Sequence, residues 1–179
     1  MPYERLLREG RIRRHRTNPQ EIANLFRVVE RDLADAAITA LSADRRFSTA
    51  YNAVLQAAMT VMYSEGYRAH GIGHHSTTFE FLKETMAPNI TSLADYFDNC
   101  RRKRNRTDYV GTGYVSVTEA EELLKEAREF AAQARAWIRT HHPELQEGKN
   151  QPQLPATGDK GNTAADGEGK SHKAGLRPG

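Results

Sequence analysis

Residues 92–104 read SLADYFDNCRRKR, and their spacing decides the fold. Leu93, Tyr96, Phe97 and Cys100 recur at helical intervals and form one apolar stripe. At about 100° per residue, Arg104 falls within about 40° of the centre of that stripe, whereas Arg102 points away. A charge extending a core stripe calls for an anionic partner, a subunit interface or a ligand, because burying it alone is costly. Two plainer readings stand beside this one. The side chain snorkels at a helix end, or it pairs with Asp44 or Asp95 and fixes the register of the helices.

The same periodicity runs outward in both directions. Asn18, Pro19 and Glu21 start a helix whose apolar face is Ile22, Leu25, Phe26, Val29, Leu33, Ala36, Ala37 and Ala40. A second long helix is expected from Asp44 to just before Gly66, burying Phe47, Ala50, Tyr51, Val54, Ala57, Ala58, Val61 and Met62. Thr77 and Glu80 have capping-box spacing before a shorter helix, as do Ser92 and Asp95 before the Arg104 helix. Ser116 and Glu119 repeat it before a last helix carrying Leu123, Leu124, Phe130, Trp137 and Ile138. Strand-like alternation is confined to 109–117.

These elements predict an all-α protein: an antiparallel up-and-down bundle of four to five helices with a disordered C-terminal tail. Alanines on several stripes allow close helix approach. Residues 1–17 read as a short helix and basic linker, 18–142 as the bundle, and 143–179 as the tail. The tail is rich in Gly, Pro and polar residues and cannot bury enough surface to offset ordering entropy.

At 179 residues, one domain with a real core is expected. Mean hydropathy is −0.74, no stretch is apolar enough for a membrane span, and the N-terminus lacks a secretory core. The lone Cys100 reads as a core thiol, in keeping with a cytoplasmic protein. Net charge is only +3, but arginines cluster at 11–16 and 101–106. Such clusters are either solvated faces or sites for phosphate backbones and acidic partners.

Arg104 followed by Asn105, with Tyr109 five positions beyond Arg104, is the leading chemical candidate. Arginine suits bidentate phosphate binding and stabilisation of a phosphorane, and Asn105 would orient a substrate. His74 and His75, in a glycine-bearing loop before a helix, read either as catalytic groups or as structural caps. A metal site from His70, His74 and His75 fits no standard zinc spacing; no metal or cofactor is expected. His141 and His142 read as solvated C-terminal positions.

Several stretches together resemble the HEPN superfamily, in one of its actinobacterial branches. They are 44–47 (DRRF) through 51–53 (YNA), the loop 71–75 (GIGHH), and 93–96 (LADY) leading into Arg104-Asn105. The resemblance covers residues 20–140. It implies a homodimer whose two motifs meet in a cleft and cleave RNA without metal, in toxin–antitoxin systems among others, with a protein antitoxin as partner. Active members carry Arg, often Asn, then four to six residues and His. Here Tyr109 stands at the histidine position, and a phenol near pKa 10 is a poor base at neutral pH. By this resemblance Arg104, Asn105 and Tyr109, with His75 as substitute base, are the catalytic candidates. Arg101, Lys103, Arg106 and His74 are the RNA-binding ones. The alternative is a non-catalytic helical interaction module that partners a nucleic-acid enzyme, with Arg104 merely holding the bundle or dimer together. In a third reading, Tyr109 is a modification target.

Overall fold

A computed structural model describes residues 3–110 and 113–146, without the side chains of 107–110. The protein is all-α, and six helices are described: α1 (Glu4–Arg8), α2 (Pro19–Ala36), α3 (Ala43–Ser64), α4 (His74–Thr85), α5 (Thr91–Val110) and α6 (Val117–His141). Among the described residues, no helix is long and apolar enough to cross a membrane.

Where local chemistry is strong, the helix starts follow it. Asn18 accepts from the Glu21 amide at 2.9 Å, and Ser116 and Glu119 form the expected reciprocal capping box. Two other starts differ. α4 begins at His74, after Gly73 in a left-handed turn (φ 79°), so Thr77 lies inside the helix and its hydroxyl donates to the Gly73 carbonyl at 3.2 Å. α5 begins at Thr91, and Asp95 pairs with Lys83 of α4 instead of closing a capping box. In both cases a tertiary or backbone constraint outweighs a short capping pattern.

α3 is the axis of the bundle. α2 runs antiparallel to it, since Asn52 of α3 donates to Asp32 of α2 and Arg46 reaches back to Ala36. α5 runs antiparallel to α6, with Lys103 near its end meeting Glu119 near the start of α6. α3 and α6 are therefore parallel: Arg46 lies 4.0 Å from Glu121 at one end, and Trp137 donates to Glu65 at 2.9 Å near the other. In an up-and-down bundle these are diagonal helices, yet their contact is one of the two most extensive in the molecule. Buried Ala50, Ala53, Ala57 and Ala58 of α3, and Ala120, Ala127, Ala131 and Ala134 of α6, carry the small side chains that let the diagonal close. Phe97 of α5 stands between Phe79 of α4 and Phe130 of α6, with ring centroids 6.1 and 5.3 Å away, and anchors α5 in the core.

The basic segment after α1 is not a linker. Ile12–Arg14 form β1, which pairs antiparallel with β2 (Tyr67–Ala69), Arg13 opposite Arg68. The ribbon covers a second small core of Leu6, Ile12, Met62, Tyr67 and Phe81, and Arg14 sits 4.9 Å over the Tyr67 ring. Three residues are too few for alternation to reveal a strand. Nor does the folded part end at His142, because Pro143–Leu145 form a 3₁₀ turn that buries Leu145. The rest of the expected disordered tail, from residue 147, lies outside the described residues. His142 is also not a solvated end: its Nε2 lies 2.8 Å from Glu65.

Candidate functional site

Arg104 follows Phe97 by seven residues, two helical turns, so the side of α5 that packs into the core carries Arg104 to the bundle's edge. There it is half-buried and lines an open crevice of about 490 Å³ between α5, α2 and the start of α3. Arg31, Arg45, Ser48 and Asn52 form its walls, and Ile38 and Leu41, exposed at 46% and 38%, form part of its rim. Its floor includes Asp32, only 4% exposed, which accepts from Arg31 at 2.8 Å and from Asn52. Three guanidiniums line the crevice against two carboxylates, Asp32 and Asp35, so one positive charge is left over, and two hydroxyl-bearing residues lie among them. Such a wall suits an anionic ligand that also carries hydrogen-bonding edges.

On its other side, Arg104 acts on α4. His75 is held near pKa 4 by burial, then by His74, Arg104 and Arg101. The His74 ring stacks edge-on at 4.4 Å, and Tyr51 Oη lies 3.5 Å from His75 Nδ1. Burial keeps the Tyr51 phenol protonated far above neutrality, even though Arg101 and Arg104 oppose that shift. Arg104 and Arg101 thus lie within electrostatic reach of His75, His74 packs against it, and near neutral pH His75 is an uncharged imidazole.

Arg101 also has a carboxylate partner of its own, and the remaining predicted residues separate from this group. Arg101 Nε donates to Asp98 at 2.8 Å, which shares its other oxygen with Arg102 at 3.0 Å. Burial raises the Asp98 pKa, but these arginine bonds leave it below the usual range. Lys103 and Arg106 face a different concavity, and the Lys103 hydrogen bond, with the Ser116 amide and hydroxyl, brings Glu119 down to about 2. Asn105 is half-buried and lines neither hollow. The Tyr109 side chain lies outside the described residues, but α5 continues past it to Val110. Convergence of Arg104 and Tyr109 by an early helix end is thereby removed, leaving the two-subunit route.

Neither carboxylate weighed as an Arg104 partner is placed for that role. Asp44 accepts the backbone amides of Gly113 and Val115 at 2.5 and 3.0 Å, and Asp95 takes Lys83. Among the described residues, His70, His74 and His75 form no group of three able to hold a metal ion. Cys100 is a buried thiol whose pKa is pushed up to about 11 by burial.

Sequence reasoning missed Asp32, Arg46 and Tyr114. Asp32 and Arg46 carried the same signal as Arg104, a charge at core spacing: Asp32 follows Val29 by three, and Arg46 precedes Ala50 by four. Arg46 is the more deeply buried arginine, at 5% exposure.

A family described as SAV_6107-like HEPN matches residues 36–135, a span that holds α3 to α5 and most of α6. No curated protein and no solved structure matches the chain.

Proposed function

We propose a function from one premise: this chain belongs to the SAV_6107-like HEPN family. Membership supports a nucleotide-related or ribonuclease-type role in general. The finer reading is that the protein binds RNA at the Arg104 end of α5 and cleaves it slowly without a metal ion. One observation carries it: Arg104 lies at a crevice rich in guanidinium groups, and its charge also reaches a neutral His75.

In this reading a ribose 2′-hydroxyl attacks the adjacent phosphorus. Its proton passes to His75 Nε2, the tautomer being one in which Nδ1–H faces the Tyr51 oxygen. Arg104 stabilises the extra negative charge on the phosphorane. The bond to the 5′-oxygen breaks, that oxygen takes a proton from the His75 imidazolium or water, and a 2′,3′-cyclic phosphate remains. An imidazole near pKa 4 accepts protons weakly, so turnover is slow. A bound phosphate offsets Arg104 and Arg101 and makes His75 more basic. Arg101 and His74 contact phosphate, and Asn105, which lines neither hollow, has no part in holding the strand. The exposed Ile38 and Leu41 on the rim are the surface a second copy of the chain would cover, completing a homodimer.

The test is incubation of 5′-labelled single-stranded RNA with the protein in EDTA, beside Arg104→Ala and His75→Gln. Cyclic-phosphate ends from the wild type and none from either variant are expected. A wild type that neither retains nor cuts RNA removes this reading and leaves the interaction module.

A further inference from the structure

α5 presents two basic faces, and the crevice uses only one. Asn99, Arg102, Lys103 and Arg106 recur at three- and four-residue steps along the opposite side. With Tyr114 they line a concavity of about 340 Å³. Arg102 and Arg106 are exposed and about 6 Å apart along the helix axis, a rise that suits successive phosphates of one strand. Asp98 and Glu119 offset part of the charge, but Asp98 is shared by two arginines and Glu119 is bound to Lys103 and the α6 cap.

Tyr114 is exposed at 49%, yet its backbone is clamped. The amides on either side of it, Gly113 and Val115, both donate to Asp44 of α3 at 2.5 and 3.0 Å. Gly113 adopts φ 91°, a conformation disfavoured for residues with a Cβ, and Val115 is buried. A large aromatic ring is thus held out to solvent by a fixed backbone beside a row of cations.

We infer that Tyr114 is a stacking platform for a base of single-stranded RNA, with Arg102 and Arg106 on the flanking phosphates and the Asn99 amide at the base edge. Sequence-tolerant strand binding combines these parts: a π-face, a basic track and a polar edge. The site rests on the RNA-binding reading above and extends it, since it would hold nucleotides beyond those at Arg104. Asp44 is a positioning residue that acts through the backbone of the loop.

The experiment is fluorescence anisotropy of labelled oligouridylates, two and ten nucleotides long, with the full chain and its Tyr114→Ala, Tyr114→Phe and Arg106→Gln variants, each checked for an unchanged melting midpoint. The expected result is about tenfold weaker decamer binding for Tyr114→Ala and near wild-type binding for Tyr114→Phe. Arg106→Gln should lower the salt slope by about 0.7. Wild-type binding of the decamer with Tyr114→Ala indistinguishable from it overturns this inference while leaving the Arg104 site standing. A decaglutamate peptide that competes as well as RNA overturns the assignment to nucleic acid. A wild type that binds neither oligonucleotide overturns both readings together.

Discussion

Arg46 Nε donates to the carbonyl oxygen of Ala36 at 3.0 Å, so a side chain of α3 closes the last turn of α2. The two arginines that lie on apolar stripes therefore have different roles. Arg46 satisfies a helix-end carbonyl inside the fold, and Arg104 lines an open crevice.

Replacing them should separate those roles. Arg46→Ala strands the Ala36 carbonyl and is expected to cost about 2 kcal/mol in denaturant unfolding. Arg104→Ala should cost less than Arg46→Ala, keep its helical circular dichroism, and lose at least tenfold in RNA affinity. Equal destabilisation by both would assign Arg104 to the fold.

His75 should titrate near 4 in proton NMR of the free protein, against 6.5 for an ordinary imidazole. Adding inorganic phosphate should move it upward, because an anion beside Arg104 and Arg101 reduces the repulsion that holds the imidazolium off. An unchanged value in saturating phosphate would place the anion elsewhere.

The same shift has a stability consequence. Between pH 6.5 and 4 the unfolded chain binds a proton at this histidine that the folded chain does not. Stability should therefore fall as pH drops through that window, by about 2 kcal/mol after allowance for solvent screening, and this component should end below pH 4. His75→Gln should flatten that part of the pH profile of urea unfolding.

Ser116→Ala removes the hydroxyl that accepts the Glu119 amide at 3.2 Å and leaves half of the capping box. The expected loss is about 1 kcal/mol, or about 2–4 °C in Tm. RNA affinity should weaken with it, since Val115 and Tyr114 lead directly into that cap. A lowered Tm with unaltered affinity would detach the loop from binding.

Local sequence was enough for the helices and for the direction in which Arg104 leaves α5. Most of each apolar stripe, the Asn18 and Ser116 caps and the position of Arg104 follow from relations spanning three or four residues, the range over which a helix sets direction. The first stripe is the exception at its end, since α2 stops at Ala36 and the expected Ala40 lies beyond it, exposed. The core position of Cys100 was legible for the same reason, and the close approach of helices could be read from alanines on the stripes.

What tertiary structure alone decided involves partners far apart along the chain. The parallel contact of α3 with α6, the pairing of β1 with β2, and the clamp of Asp44 on amides 69 and 71 residues away depend on which faces meet after packing. So does the division of one arginine-rich run between two hollows, because periodicity gives a side chain's direction but not what stands opposite it. The neutrality of His75 belongs to the same class. Its histidine neighbour is adjacent in sequence, but the burial and the guanidinium charges that suppress its protonation exist only once α5 lies against α4.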